Sequence, residues 1–253
     1  MTLDLAGQAI LFVASFIANW LSALSGGGAG LIQFPMLIFL GLPFGVALAT
    51  HKVASVFLGI GATFRHLKES HLERRFSLVI LGAGLPGVVL GASTILHVPE
   101  RPATIALGLL TLGLGIYSVF RPKLGLAFQP RNREGWGLWT GMAGLFCVGF
   151  LNGSITSGTG LFLTLWLIRH FGLDYKRAVA YTLILCGFFW NGTGAVVLGI
   201  LGTVAWGWMP ALLLGSVIGG YLGSHVAITQ GNVWIKRAFE ITTIAIGLKL
   251  LLG

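Results

Sequence analysis

Long apolar stretches separated by short gaps run through the whole chain, and they restrict it to one class of fold. We place ten of them, at residues 8–24, 29–42, 45–65, 76–96, 103–120, 137–156, 160–171, 178–200, 206–228 and 234–252. Most are long enough to cross a hydrocarbon core of ~30 Å as helices. Only 9% of the 253 residues are charged, against about 25% in soluble domains. The sequence therefore predicts an all-α integral membrane protein with about eight to ten membrane segments, embedded in a lipid bilayer.

The basic residues are concentrated in alternate gaps between these stretches. Thirteen of the 16 Lys and Arg residues lie within 65–75, 121–133, 169–177 and 236–237. Gaps rich in Lys and Arg lie on the cytoplasmic side of a membrane. We therefore expect the linker 121–135 inside and both termini outside. The net charge of +9 follows from this topology, and no nucleic-acid partner is expected.

The two halves of the chain resemble each other. "SGGG" at 25–28 matches "SGTG" at 157–160, "GLPFGVALAT" at 41–50 matches "GLDYKRAVAY" at 172–181, and "GVVLG" at 87–91 matches "GGYLG" at 219–223. With the opposite orientations given by the charges, this predicts two inverted-topology repeats, 1–120 and 136–253, joined by the basic linker 121–135 in one membrane domain. Transporters use such repeats for alternating access. A gene duplication without alternating access is the alternative.

Glycine-rich tips follow the first segment of each half, and the second segments of both halves are short. The residues concerned are Ser25, Gly26, Gly27, Gly28, Ser157, Gly158, Thr159 and Gly160. We interpret the short segments as broken or re-entrant helices whose tips approach each other. Their free N–H groups and the positive end of the helix dipole would bind an anion. The alternative is that each tip is only a tight connection between helices.

A charged residue lies inside the third segment, in "ATHKVAS". Lys52 has no acidic residue in the middle of any apolar segment to pair with, so a bound anion is its expected partner. Extension of its side chain to the membrane surface is the alternative. The neighbouring His51 is a candidate proton carrier or an ordinary hydrogen-bonding residue. We add Thr50 and, from the second half, Asn191 to the substrate-binding candidates.

At these residues the chain resembles the TauE/SafE sulfite exporter family over nearly its whole length. "SGGGAGLIQFPMLIFLGLP", "ALATHK", "WNGTG" and "GTVAWGW" are similar to the family's elements in their order, with His51 where Asn is frequent. The second tip departs from a full glycine run, and Trp166 stands where a counterpart of Pro35 would fall. The resemblance implies transport of sulfite or organosulfonates across the bacterial inner membrane.

We therefore expect a secondary transporter, an exporter of a small sulfur-containing anion, and no enzyme. The alternatives are an anion channel, an importer of another small carboxylate or sulfonate, a membrane subunit that transports nothing and, remotely, an intramembrane serine hydrolase. No Walker A sequence or H-E-x-x-H motif occurs, so no cofactor, catalytic residue or metal is expected. Proton coupling and passive exchange both stay open, and the sequence does not indicate an oligomeric state.

Overall fold

The computed structural model describes residues 4–69, 72–94, 100–155 and 158–252, and the described chain is helical without a β-strand. The first half contains α1 (Leu5–Ser25), α2 (Gly30–Phe39), α3 (Phe44–His66), α4 (Arg74–Thr94) and α5 (Glu100–Val119). The second half contains α6 (Gly135–Ile155), α7 (Thr159–Phe171), α8 (Tyr175–Tyr181), a π-helix (Thr182–Trp190), α9 (Asn191–Leu201), α10 (Met209–Gln230) and α11 (Asn232–Leu252). Each predicted segment overlaps helical structure in the described residues, with 178–200 running from α8 through the π-helix into α9, so the all-α class is confirmed.

Several of the helices are suited to crossing a membrane. In the described residues five stretches are both long and apolar enough, at Leu5–Ser25, Phe44–Glu69, Arg74–Thr94, Tyr175–Leu201 and Trp206–Gln230. The helices α5, α6 and α11, of 20 or 21 residues, also have the length of a membrane span. The protein is thus a multi-pass membrane protein, with α2 and α7 as the short helices that the sequence predicted.

Helices of one half pack on helices of the other. The helix α1 packs along α10, α6 packs along α4, and α5 packs along α11. The helix α6 is the first helix after the linker, as α1 is the first helix of the chain, and α4 and α10 carry the matching sequences "GVVLG" and "GGYLG". Each of the first two pairs therefore joins the first helix of one half to the helix of the other half that carries this sequence. This pattern is what two structurally related units would produce. Their opposite orientation in the bilayer, like the boundaries at 120 and 136, stays a prediction.

Glycines make these helix crossings close. A Cβ added to Gly219 of α10 would lie 2.5 Å from the carbonyl oxygen of Phe16 in α1, and one added to Gly91 of α4 would collide with the carbonyl oxygen of Phe150 in α6. Small residues let helix backbones approach in this way. The "GVVLG" and "GGYLG" glycines are thus packing residues, as their spacing predicted.

The basic linker is fastened to the second half. The Gln129 N–H donates to the carbonyl oxygen of Gly172 over 2.8 Å, and the Tyr175 N–H donates to the carbonyl oxygen of Gly125 over 2.8 Å. The linker therefore covers the turn between α7 and α8.

Candidate functional site

The first glycine tip forms a tight turn between α1 and α2. Gly26, Gly27 and Gly28 have φ angles of 84°, 148° and 106°, a region that residues with a side chain seldom adopt. The N–H groups of Gly26 and Gly27 both donate to the carbonyl oxygen of Ser22. The Ser25 hydroxyl lies 2.8 Å from the carbonyl oxygen of Leu21 and 3.0 Å from that of Gly27. Ser25 therefore holds the turn together and does not face the cavity.

The second tip lies directly against the first. A Cβ added to Gly160 would lie 2.9 Å from the Cα atom of Gly27, and the Thr164 hydroxyl lies 2.9 Å from the carbonyl oxygen of Gly26. Gly158, with φ 76°, precedes α7. Ser157, a predicted site residue, lies outside the described residues. The contact between the two tips is the approach that the sequence predicted.

A small cavity of about 40 Å³ lies where the tips meet. This is room for about three water molecules, or for one oxyanion of four or five heavy atoms. The predicted site residues on its wall are Gly27, Gly28, His51, Gly158, Thr159, Gly160 and Asn191. The polar wall residues outside that prediction are Ser22, Ser55, Asn152, Thr182 and Cys186. Ser25, Gly26, Thr50 and Lys52 are placed behind this wall.

Unused hydrogen-bond donors face the cavity from the first half. Within the described residues, the N–H groups of Gly28 and Ala29 make no hydrogen bond, and both residues line the cavity just before α2. The Ser22 hydroxyl is buried and also without a partner there. Free N–H groups at a helix N-terminus attract negative charge. These donors therefore favour an anionic occupant.

Lys52 is fully buried and directs its ammonium to two asparagines. Its Nζ atom lies 2.6 Å from the Asn152 carbonyl oxygen, 3.0 Å from Asn152 Oδ1 and 3.1 Å from Asn191 Oδ1. The described salt bridges all involve other residues, so no described carboxylate neutralises it. Lys52 thus does not extend to the membrane surface; its charge is held beside the cavity.

The ammonium of Lys52 fixes the orientation of both amides. Because each Oδ1 accepts from Lys52, each Nδ2 must point elsewhere. The Asn152 Nδ2 group donates to the Thr159 hydroxyl over 2.9 Å. The Asn191 Nδ2 group makes no hydrogen bond within the described residues, and Asn191 lines the cavity. The Lys52 ammonium therefore holds the oxygen of the Asn191 amide, and the Nδ2 donor of the same amide is left to bind a ligand.

Thr50 and His51 belong to different surroundings although they are neighbours in sequence. The Thr50 hydroxyl accepts a hydrogen bond from the Ala205 N–H over 3.0 Å, which ties α3 to the turn before α10. His51 lines the cavity, and its Nδ1 atom lies 2.6 Å from Gln33 Oε1. The role of Gln33 was not foreseen, and an amide three residues into a short apolar helix was the signal for it.

The π-helix decides which residues of the second half reach the cavity. In an α-helix, with 3.6 residues per turn, Thr182 and Asn191 would be nine residues apart and therefore on opposite faces. A π-helix, with its i→i+5 hydrogen bonds, turns less per residue than an α-helix, and Thr182 and Asn191 both reach the cavity wall. Cys186, four residues after Thr182, lies on the same wall.

Comparisons with known proteins agree with this architecture. The family described as "Sulfite exporter TauE/SafE" matches residues 11–250. The chain is 30% identical to the "Probable membrane transporter protein ORF9" of Sinorhizobium sp., over 96% of this chain and 92% of that protein. It is 28% identical to a "Probable membrane transporter protein" of Haemophilus influenzae, over 96% and 93%, and 27% identical to the "Probable membrane transporter protein YfcA" of Escherichia coli, over 96% and 88%. No solved structure matches.

The family match covers both glycine tips, Lys52 and the π-helix. The three similar proteins are named as probable membrane transporters, and the similarity extends over nearly their full length. These findings identify a membrane transporter rather than an enzyme. The chain therefore belongs to the sulfite exporter TauE/SafE family of membrane proteins.

Proposed function

We propose that this protein is a secondary transporter that exports a small sulfur-containing anion, such as sulfite, across the bacterial inner membrane. The observation that carries the proposal is the convergence of two glycine tips on one cavity whose unused groups are mainly hydrogen-bond donors. The family's description as a sulfite exporter supports the sulfur oxyanion as the substrate class.

The substrate would be held by donors from both halves of the chain. The Gly28 and Ala29 N–H groups and the Ser22 hydroxyl approach from the first half, and the Asn191 amide approaches from the second. Lys52 supplies positive charge through that amide. The cavity volume of about 40 Å³ suits a small oxyanion such as sulfite.

Alternating access would move the two tips relative to this cavity. If the halves are inverted repeats, the same contacts between the tips can be made and broken on either side of the membrane. In this proposal both termini lie outside and the linker 121–135 lies in the cytoplasm, as the basic residues indicate.

The test is the flux of radiolabelled sulfite in proteoliposomes, with sulfate, taurine and sulfoacetate as competitors. We expect saturable flux and counterflow from the native chain, and a loss of at least about tenfold in Lys52→Ala. Lys68→Ala is the matched control, since Lys68 is exposed just beyond α3 and its removal should leave the flux unchanged.

Two results would change the conclusion. Flux that rises linearly with concentration and shows no counterflow would indicate a channel. Absence of flux for all the anions, from protein that is folded by circular dichroism, would contradict the proposal.

A further inference from the structure

A chain of buried hydrogen bonds leads from α10 to His51 and assigns the positions of its hydrogens. The Ser15 hydroxyl lies 2.9 Å from the carbonyl oxygen of Leu212. A carbonyl oxygen only accepts, so Ser15 donates to it and keeps its lone pairs for other donors. The Gln33 Nε2 group lies 2.8 Å from the Ser15 oxygen and donates to it. The nitrogen end of the Gln33 amide therefore faces Ser15.

The opposite end of the Gln33 amide then determines the tautomer of His51. Gln33 Oε1 lies 2.6 Å from His51 Nδ1, and because this oxygen only accepts, Nδ1 carries the hydrogen. In the neutral ring Nε2 is then an acceptor. The Ser55 hydroxyl lies 2.9 Å from the His51 carbonyl oxygen and 3.2 Å from Nε2. The Ser55 hydroxyl has one hydrogen, and when it donates that hydrogen to the carbonyl, the shorter of the two contacts, the Nε2 lone pair is left to accept from a ligand.

The groups around His51 favour the neutral ring. Lys52, the next residue of α3, and Cys186 of the π-helix are the titratable neighbours. The other described polar side chains that bond to His51 or line its cavity from the other helices are neutral, and they are Ser22, Gln33, Asn152, Thr159, Thr182 and Asn191. A second positive charge beside the buried Lys52 would be repelled. The cavity thus presents one ring acceptor among donors.

We propose that this site selects an oxyanion that still carries one proton, of which hydrogen sulfite is the example. Its negatively charged oxygens accept from the Gly28 and Ala29 N–H groups and the Asn191 amide, while its single O–H donates to His51 Nε2. A fully deprotonated oxyanion would direct a lone pair at Nε2 instead. His51 is then the residue that determines specificity, and Gln33 is its positioning residue. This inference rests on the anion site of the proposed function.

The experiment is calorimetric titration of the full-length protein in detergent with two anions, over the pH range in which hydrogen sulfite loses its proton. Sulfite changes its protonation over that range. Methanesulfonate is a monoanion of similar size without an ionisable hydrogen, so it reports any titration of the protein itself. For the native chain we expect the ratio of the sulfite affinity to the methanesulfonate affinity to fall at least about tenfold as the pH rises.

Variants separate this tautomer effect from a loss of folding. Gln33→Leu frees the ring to place its hydrogen on Nε2, so the dependence on pH should flatten while some anion affinity remains. His51→Asn, which offers an amide in place of the ring, should flatten it as well and serves if Gln33→Leu does not fold. Gln8→Leu is the control, because the Gln8 amide bonds to the carbonyl oxygen of Gly207 away from the cavity, and its profile should match the native one.

The outcomes distinguish this inference from the proposed function. Binding of sulfite with the same affinity at both ends of the pH range would overturn the selection of a protonated anion and leave the anion site standing. An unchanged profile in both Gln33→Leu and His51→Asn would do the same. Failure of the native chain to bind any of these anions would overturn both.

Discussion

Gly160 of the second half touches Gly27 of the first, so closely that a Cβ added to Gly27 would lie 2.5 Å from the Leu161 nitrogen and 2.6 Å from the Gly160 carbonyl carbon. This contact joins residues 133 positions apart in the chain, and both of them line the cavity. The tips can meet in this way only because neither residue has a side chain.

Gly27→Ala should therefore separate the tips. The alanine would need a φ of 148°, which costs about 1–3 kcal/mol, and its methyl group would displace α7. We expect a lower free energy of unfolding and a loss of anion binding. Thermal denaturation and calorimetry measure the two effects. Gly45→Ala is the control, because nothing lies within 4 Å of its added Cβ; equal losses in both variants would refute the argument.

Asn191→Asp should abolish anion binding without unfolding the protein. The new carboxylate would take the place of an oxygen now 3.1 Å from Lys52 Nζ and form an ion pair with it. Like charges about 4 Å apart repel by roughly 4 kcal/mol at an effective dielectric constant of 20, so the anion would be excluded. Asn191→Ala removes only the amide and should weaken binding less. Native affinity in Asn191→Asp would show that the anion binds elsewhere.

Two glycines of α4 should respond oppositely to the same substitution. A Cβ added to Gly84 would collide with the Trp190 ring, whereas one added to Gly82 would meet nothing within 4 Å. We expect Gly84→Ala to lower the free energy of unfolding by about 1–3 kcal/mol and Gly82→Ala to raise it by up to ~1 kcal/mol. Denaturation in detergent compares them. A stable Gly84→Ala protein would mean that Trp190 can move aside.

Cysteine labelling should test the predicted orientation. In a Cys147→Ala, Cys186→Ala background, a membrane-impermeant thiol reagent added to whole spheroplasts should label Thr203→Cys and not Lys123→Cys. Both positions are exposed, so access to each is set by the side of the membrane alone. Labelling of both sites only after lysis, or of Lys123→Cys in intact spheroplasts, would contradict the predicted orientation.

The helices and both tips could be predicted from the sequence because their signals are local. An apolar stretch of about 20 residues predicts a membrane span, and a run of glycines predicts an irregular backbone wherever it lies. Thus α1, α2 and α7 begin and end within a few residues of the predicted bounds. Gly27, Gly28 and His51 were named from such local patterns, and the structure places all three on the cavity wall.

The partners of Lys52 were decided by the tertiary structure. The sequence contains no acidic residue in the middle of an apolar segment, and this pointed to a bound anion as the direct partner. The folded chain instead brings Asn152 and Asn191 from the second half to its ammonium. Pairing over 100 and 139 positions depends on how helices pack, and no local pattern records it.

The register of the second half was likewise decided only on folding. The apolar run at 178–200 predicts a helix, but its composition does not predict whether the helix is an α-helix or a π-helix. That choice sets whether Asn191 faces the cavity or the opposite side, because a small change in turn angle accumulates over nine residues. By itself the sequence determined a helical membrane protein with two glycine tips. Packing decided which polar side chains share the cavity, since each is delivered there by a helix whose rotation is set by its neighbours.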